Sequence, residues 1–317
     1  TSAIGAAFAG NLAITATSGP GVALKSEALG LAVITELPLV LVNVQRGGPS
    51  TGLPTKTEQS DLNQAIYGRN GEAPMVVLAA ATPTDCFNMA YEACRIALKY
   101  MIPVILLSDG YIANGSEPWK IPDIDSLPAI ETRLTQKKEG FAPFLHDNPN
   151  LSRPWALPGT PGMEHRVGGL EKWEETGHVS YDPENHQKMV ELRQQKVDVI
   201  ANDIALAKAF GKGNGDLLVI GWGGTHGALR SAVETAQEKG MSVSHLHLRH
   251  LNPLPRNLGE ILVKFQKVMI AELNMGQLAA IIRSKFLVDA VSLNKIQGKP
   301  FTITEVLNKI TELVKGA

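Results

Sequence analysis

Cysteine is nearly absent from this chain: Cys86 and Cys94 are the only two among 317 residues. So small a supply excludes a disulfide-stapled scaffold. The pair lies in a stretch of helical periodicity and reads as reduced, partly buried thiols of a cytoplasmic protein. Two thiols also cannot build a thiolate metal site or an iron–sulfur cluster, so any cluster must sit on another polypeptide. No apolar run reaches the length of a membrane span. Charge of one sign is missing too, with 30 basic against 31 acidic residues and a net charge of −1. Without a broad basic field, neither nucleic acid nor an anionic membrane is an expected partner. There are no internal repeats and no low-complexity tracts. The first ten residues, from Thr1 to Gly10, contain neither an initiator Met nor a signal-peptide charge pattern. They read as the small-residue end of a helix already in progress, so a fragment lacking upstream sequence is expected.

What is present describes a soluble globular protein, 44% hydrophobic and 19% charged. The length accommodates two domains of ordinary size, each with its own core. Short apolar runs bounded by turn residues recur at Leu12–Thr17, Leu39–Val44, Met75–Leu78 and Val104–Ser108. Stretches of helical periodicity, such as Lys25–Thr35 and Pro83–Tyr100, lie between them. Strands that are apolar throughout and alternate with helices predict a parallel sheet covered on both faces. The first α/β domain is therefore placed at residues 1–123. Pro, Gly and charged residues dominate residues 124–213, read as a linker or arm that packs on its neighbours. It holds one strong helix candidate, Pro183–Phe210, with Asp182 as N-cap and proline at the first helical position. A second α/β domain is placed at residues 214–317. Its expected strands are Leu217–Gly221, Val243–Leu248 and Val268–Glu272, and its expected helices Ala228–Lys239 and Gln277–Phe286.

Two segments carry most of the chemistry. Thr15-Ala-Thr-Ser-Gly-Pro-Gly21 leaves a strand at its C-terminal end, where ligands of parallel sheets sit. Hydroxyls followed by glycines there let the backbone approach a ligand, with a helix N-terminus behind it; a plain strand–helix turn is the alternative. The pattern is not GxGxxG, which leaves little support for a nicotinamide dinucleotide. Asn43-Val-Gln-Arg-Gly-Gly-Pro-Ser-Thr-Gly-Leu-Pro-Thr55 also leaves a strand. Its guanidinium, Arg46, is a natural bidentate partner for a carboxylate, although a surface salt bridge accounts for it equally well. His245, His247 and His250 alternate with leucines near a strand end and read as a solvent-side or interface stripe rather than metal ligands. His186 reads as a contact at a helix start.

Taken together, Thr17-Ser-Gly-Pro-Gly21, Gln45-Arg-Gly-Gly-Pro-Ser-Thr-Gly52, Pro54-Thr55, Gln59, Asp61-Leu62 and Ser108-Asp109 resemble the alpha subunit of 2-oxoacid:ferredoxin oxidoreductases. The likeness continues through Arg153-Pro-Trp-Ala-Leu-Pro-Gly-Thr-Pro-Gly162, Asp182-Pro-Glu-Asn-His186 and Glu272-Leu-Asn-Met-Gly-Gln-Leu278, so it covers essentially the whole chain. Within that family the pattern is most similar to 2-oxoglutarate-type subunits. The resemblance implies an α/β fold: a thiamine-diphosphate-binding domain of the pyrimidine type, followed by a transketolase C-terminal-like α/β domain. It implies that Arg46, with Ser50 and Thr51, meets the 2-oxoacid. It also implies that Thr17, Ser18, Gly19, Pro20 and Gly21 line the pyrimidine side of thiamine diphosphate.

The same resemblance implies a beta subunit carrying the diphosphate and magnesium ligands and an iron–sulfur cluster, a gamma domain or subunit, ferredoxin as electron acceptor and coenzyme A as acyl acceptor. No Gly-Asp-Gly motif with a following asparagine occurs here, so magnesium is not expected on this chain. In the family a substrate loop and a catalytic glutamate lie upstream of the position corresponding to Thr1. The chain alone is accordingly expected to be inactive. The region of Glu272 and Asn274 is implied to form a subunit interface or the approach for coenzyme A. A non-oxidative thiamine-dependent enzyme and a non-catalytic scaffold paralogue are the alternatives.

Overall fold

The computed structural model describes residues 1–316, which form two stacked parallel sheets with helices between and outside them. The first unit runs α1 (Ser2–Phe8), β1 (Ile14–Thr17), α2 (Gly19–Leu24), α3 (Ser26–Thr35), β2 (Leu39–Gln45), α4 (Leu62–Tyr67), β3 (Val76–Ala79), α5 (Asp85–Tyr100), β4 (Pro103–Asp109) and α6 (Gly110–Ala113). The arm holds one long helix, α7 (Pro183–Ile200). The last part runs β5 (Gly215–Trp222), α8 (His226–Glu238), β6 (Val243–Leu248), β7 (His250–Asn252), α9 (Leu258–Leu262), β8 (Phe265–Glu272), α10 (Gln277–Phe286), β9 (Ala290–Asn294) and α11 (Ile303–Lys315). No helix among the described residues is long and apolar enough to cross a membrane.

The strand order is β1-β2-β4-β3-β7 in one sheet and β6-β5-β8-β9 in the other. All ladders are parallel except β3–β7, which pairs Val77 with Asn252 and Leu78 with His250. Thus the chain after residue 213 builds the whole second sheet and adds one strand to the first. Alternation within each strand sends one set of side chains to each face. Val76, Leu78, Val104 and Leu106 pack against Met89 and Ile96 of α5 and Val197 and Ile200 of α7. On the far side, Leu217, Val219 and Met269 pack against Leu229 of α8 and Val306 of α11.

Besides these two separate clusters, the two sheets share a third. One apolar cluster runs from Leu41, Val77 and Ile105 on the first sheet, through Leu62 and Leu278, to Ile220, Leu246 and Ile270 on the second. The inner faces of both sheets are apolar, and burying them against one shared layer of helices removes both from water at once.

The long arm is tied down by a buried charge cluster. Glu36, in left-handed backbone at the end of α3, is 3% exposed. His146 Nε2 stands 3.0 Å from its Oε2, Lys196 Nζ donates to that same oxygen, and Arg153 Nε donates to the Glu36 carbonyl at 3.1 Å. Lys172 Nζ donates to the carbonyl of Ile34 at 2.7 Å. Four basic residues of the arm thus converge on the end of one helix.

Asp182 caps α7, accepting from Asn185 N at 2.8 Å. The helix expected to reach Phe210 ends at Ile200 instead. Asp203 just beyond is taken by Arg95 Nη1 at 2.6 Å and Tyr100 Oη at 3.0 Å, and Ala207 is bracketed by the Asn257 amide at 2.9 Å on each side. Those tertiary bonds hold the segment off the helical path its composition allows.

Candidate functional site

The strands β1, β2 and β4 end together, with Thr17 in register with Asn43 and Gln45 with Asp109. Beyond that edge lies a cavity of about 720 Å³. Gly19, Pro20, Ala23 and Leu24 of α2 form one wall; Arg46, Gly48, Pro49 and Ser50 form the second; Glu58, Ser60, Asp61 and Gln64 close the third. Of the residues expected to bind ligands, the structure brings Arg46, Ser50, Gly19 and Pro20 to this cavity. Thr17, Ser18 and Gly21 shape the turn behind the wall, and Thr51 stands exposed at the loop tip.

The turn at residues 17–21 has a steric reason. A Cβ on Gly19 would stand 2.7 Å from Asp61 Oδ2, and one on Gly21 would collide with Thr17 Oγ1. Side chains at either place would push α2 away from the cavity. The arginine loop is likewise closed on itself. Gly47 N donates to Lys56 O at 2.9 Å and Leu53 N to Gly47 O at 2.8 Å. Gly52 has φ +43°, and a Cβ there would strike the Gly47 carbonyl, so the loop tolerates no larger residue at that point. Gly48–Pro49 is a cis peptide bond within the same loop.

Arg46 is partly buried, its Nε has no hydrogen-bond partner, and it joins no ion pair among the described residues. A guanidinium held this way is short of acceptors, and buried polar groups are rarely left so. Its chemistry suits a planar anion. The surface salt bridge considered for this residue is therefore not what the structure contains.

Two carboxyls line the same cavity. Glu58 is 5% exposed and accepts from Ser60 Oγ at 3.2 Å. Asp61 accepts from Asn43 Nδ2 at 3.0 Å, and its own N–H donates to Gln45 Oε1 at 3.1 Å. Burial pushes the Asp61 carboxyl above its ordinary value, against the Asn43 bond that works the other way. Asp61 stands in a recognisable motif but without a role legible from sequence, and Glu58 carries no such mark. A run of polar residues just before α4, downstream of the arginine loop, was the available signal.

Directly behind the cavity the two sheets are locked together. Gln59 is wholly buried; its Nε2 donates to Trp222 O at 2.7 Å, and its Oε1 accepts from Leu273 N at 2.9 Å. Its main chain accepts from Asn274 Nδ2 at 2.8 Å. Glu272 receives Trp222 Nε1 at 3.2 Å and the first N–H groups of α10, Leu278 at 2.8 Å and Ala279 at 3.0 Å. Those bonds satisfy orphan donors at a helix start. Glu272 and Asn274 are thus buried in the junction of their own chain, 0% and 1% exposed, while Met275 beside them is 79% exposed.

The histidine stripe also needs correction. His245 and His250 are 2% and 7% exposed, and His245 and His247 pack with His226 at ring-centroid distances of 4.8 to 5.7 Å. The start of α8 and the Phe210–His245 bridge cover the face of β6 that alternation alone left open to solvent. No group of three or more His, Cys, Asp or Glu able to hold a metal ion exists among the described residues. His186 meets Glu171 at 2.8 Å in the first turn of α7. A second cavity, of about 420 Å³, lies between α3 and α7, where Arg193 is already paired with Glu171 at 2.9 Å.

Comparison with known proteins bears on this geometry. The family model described as pyruvate flavodoxin/ferredoxin oxidoreductase, thiamine-diphosphate-binding, matches residues 1–183, and that of pyruvate:ferredoxin oxidoreductase core domain II matches residues 215–306. The chain is 55% identical over 99% of its length to the 2-oxoglutarate oxidoreductase subunit KorA of Mycobacterium tuberculosis, of which it covers 48%. It is 32% identical to the 2-oxoglutarate synthase subunit KorA of Archaeoglobus fulgidus, covering 99% of this chain and 81% of that one. The solved 2-oxoglutarate:ferredoxin oxidoreductase of Magnetococcus marinus, with 2-oxoglutarate, coenzyme A and succinyl-CoA bound, superposes with a TM-score of 0.95 at 36% identity, covering 99% of this chain and 55% of that one. The chain spans about half the length of several curated relatives it matches.

Proposed function

The chain belongs to the thiamine-diphosphate-binding pyruvate flavodoxin/ferredoxin oxidoreductase family, and from that premise we propose that it is part of the alpha subunit of a 2-oxoacid:ferredoxin oxidoreductase, with 2-oxoglutarate as substrate. The reaction is oxidative decarboxylation: the 2-oxoacid loses carbon dioxide, its electrons pass to ferredoxin, and coenzyme A receives the acyl group. The observation that carries this reading is Arg46, a guanidinium with an unpartnered Nε in a cavity at the C-terminal edge of a parallel sheet.

Thiamine diphosphate fits the residues present. Pro20, Ala23 and Leu24 offer an apolar wall for a heteroaromatic ring, and Gly19 and Gly21 keep the turn beneath it narrow. Thr17 and Ser18 belong to that turn. When bound, the cofactor supplies the nucleophilic carbon that makes decarboxylation of a 2-oxoacid feasible. This chain's residues then bind and orient. Arg46 neutralises a substrate carboxylate through charge-assisted hydrogen bonds, and Ser50 supplies a hydroxyl from the loop that carries it. Glu58 and Asp61 offer acceptors in the same cavity.

A partner beta subunit holds the diphosphate, magnesium and a cluster; a gamma part, ferredoxin and coenzyme A complete the system. A cytoplasmic location agrees with the two free thiols on α5, half-buried Cys86 and buried Cys94.

The test is replacement of Arg46 by Ala in the assembled enzyme, followed by 2-oxoglutarate-dependent ferredoxin reduction. Loss of charged hydrogen bonding should reduce kcat/KM by the equivalent of about 2–4 kcal/mol. Unchanged kinetics removes the assignment. Turnover without any electron acceptor would favour a non-oxidative thiamine enzyme instead.

A further inference from the structure

We propose that Gln277, the first residue of α10, is a positioning residue for the Arg46 cavity. That role rests on the reading of the cavity as a 2-oxoacid site and deepens it. Gln277 lies outside the lining; it acts through the wall made by Glu58, Ser60, Asp61 and Gln64. The first three of these precede α4 and belong to no strand. Main chain of this kind has no ladder to fix it, so its place depends on the bonds that other elements supply.

The peptide unit between Ser60 and Asp61 is gripped by two glutamines. Its N–H, on Asp61, donates to Gln45 Oε1 at 3.1 Å, and its carbonyl, on Ser60, accepts from Gln277 Nε2 at 2.8 Å. The two polar groups of a trans peptide point in opposite directions, so the plane is held from both sides and cannot turn. One grip comes from the end of β2, where Gln45 Nε2 also donates to Ser108 O at 3.2 Å. The other comes from the start of α10 and thus from the second sheet's part of the chain. Gln277 Oε1 accepts in addition from Asn63 N at 2.9 Å, so a single amide brackets Asp61 along the chain. Ser60 Oγ donates to Glu58 at 3.2 Å and passes the constraint on to the other carboxyl of the wall.

Gln59 and Asn274 serve the same stretch but also the fold. Both are wholly buried and bond to Trp222, Leu273 or Glu272 in the junction of the sheets. Gln277 is half-buried, and its amide bonds to the wall alone. Without that amide, the Ser60 carbonyl and the Asn63 N–H turn to water, and the wall becomes ordered only as a ligand binds. Ordering on binding subtracts from affinity. Arg46 and its loop keep their own bonds, so binding weakens while the chemical step does not.

The test compares wild type, Gln277→Met, Gln277→Glu and Arg46→Ala in the assembled enzyme, by steady-state kinetics with 2-oxoglutarate, thermal midpoints and amide hydrogen exchange. Gln277→Met keeps the length of the side chain and removes both bonds; Gln277→Glu keeps an acceptor for Asn63 N and removes the donor to Ser60. KM is expected to rise about three- to tenfold in Gln277→Met while kcat stays within about twofold of wild type. Gln277→Glu should raise KM as well, which decides the matter should the Met variant fail to assemble. Exchange over residues 58–64 should be faster than in wild type without substrate and slow again when 2-oxoglutarate is added. A wild-type KM in both Gln277 variants overturns the proposal. So does a kcat that falls in step with the thermal midpoint at unchanged KM, because that is a loss of structure alone. If Arg46→Ala lowers kcat/KM and the Gln277 variants keep the wild-type KM, only the positioning role fails. If Arg46→Ala leaves kcat/KM unchanged, the substrate site fails and the proposal with it.

Discussion

Asp109, the last residue of β4, accepts a hydrogen bond from the main-chain N–H of Gly224, the two residues lying 115 positions apart and 2.7 Å from each other. The same carboxylate receives Thr57 Oγ1 at 3.0 Å, Tyr111 N at 2.9 Å and Ile112 N at 3.2 Å. One side chain therefore joins the end of the first sheet, the polar run before α4 and the turn that leaves β5. With Gln59 it fixes the second sheet against the wall of the Arg46 cavity.

Removing that carboxylate leaves buried donors unpaired. Asp109→Ala is expected to lower unfolding free energy by about 3 kcal/mol, because several desolvated N–H and O–H groups lose their acceptor together. Urea titration of the purified chain checks it. A change smaller than that of an ordinary surface substitution would mean that the junction is held by apolar packing alone.

Glu36 should give the fold an acid limit. Burial pushes its carboxyl up, but Lys196 and His146 more than offset this and leave it well below the ordinary value of 4.5. A carboxylate depressed by folding contributes stability that is complete above its unfolded value and is lost as pH falls through the folded one. Stability of the wild type should thus decline below pH 4.5 through this group. Glu36→Gln, which strands Lys196 without its partner, is expected to be less stable at neutral pH by about 3–5 kcal/mol and to lose that part of the acid dependence. Denaturant midpoints measured across pH for both proteins decide the matter. Parallel curves would contradict it.

The arginine loop offers a backbone test. Gly52→Ala places a Cβ against the Gly47 carbonyl at a position with φ +43°. The loop must open, at a cost of about 1–3 kcal/mol, and Arg46 loses its fixed presentation. In the assembled enzyme this should raise KM for the 2-oxoacid more than it lowers global stability. A KM equal to that of wild type would show that the loop's closure does not matter to the site.

How much of this was legible beforehand depends on how local each signal is. β2 and α10 follow from a mostly apolar run and from a helical period, and Gln277–Phe286 is found at the expected residues. Glycines at 19 and 21 read as room for a ligand; the close neighbours they and Gly52 have are the chain's own Asp61, Thr17 and Gly47. β7 was hidden because three residues, His250–Asn252, become a strand only by pairing with Val77 and Leu78 from the far part of the chain. Burial of His245 and His247 was hidden for the same reason: alternation states which side chains share a face, not what covers it. Glu58 and Asp61 sit in a polar run, and only the fold brings that run to the Arg46 cavity. The shared core between the sheets could not be read from either half alone.

The central claim is that Arg46 holds a carboxylate of the 2-oxoacid, and a structure of the assembled enzyme with 2-oxoglutarate bound examines it most directly. The account predicts a substrate carboxylate within hydrogen-bonding distance of the Arg46 guanidinium, in the cavity bounded by Pro20, Ser50 and Asp61. A substrate bound elsewhere, with Arg46 facing only solvent or protein, would contradict it.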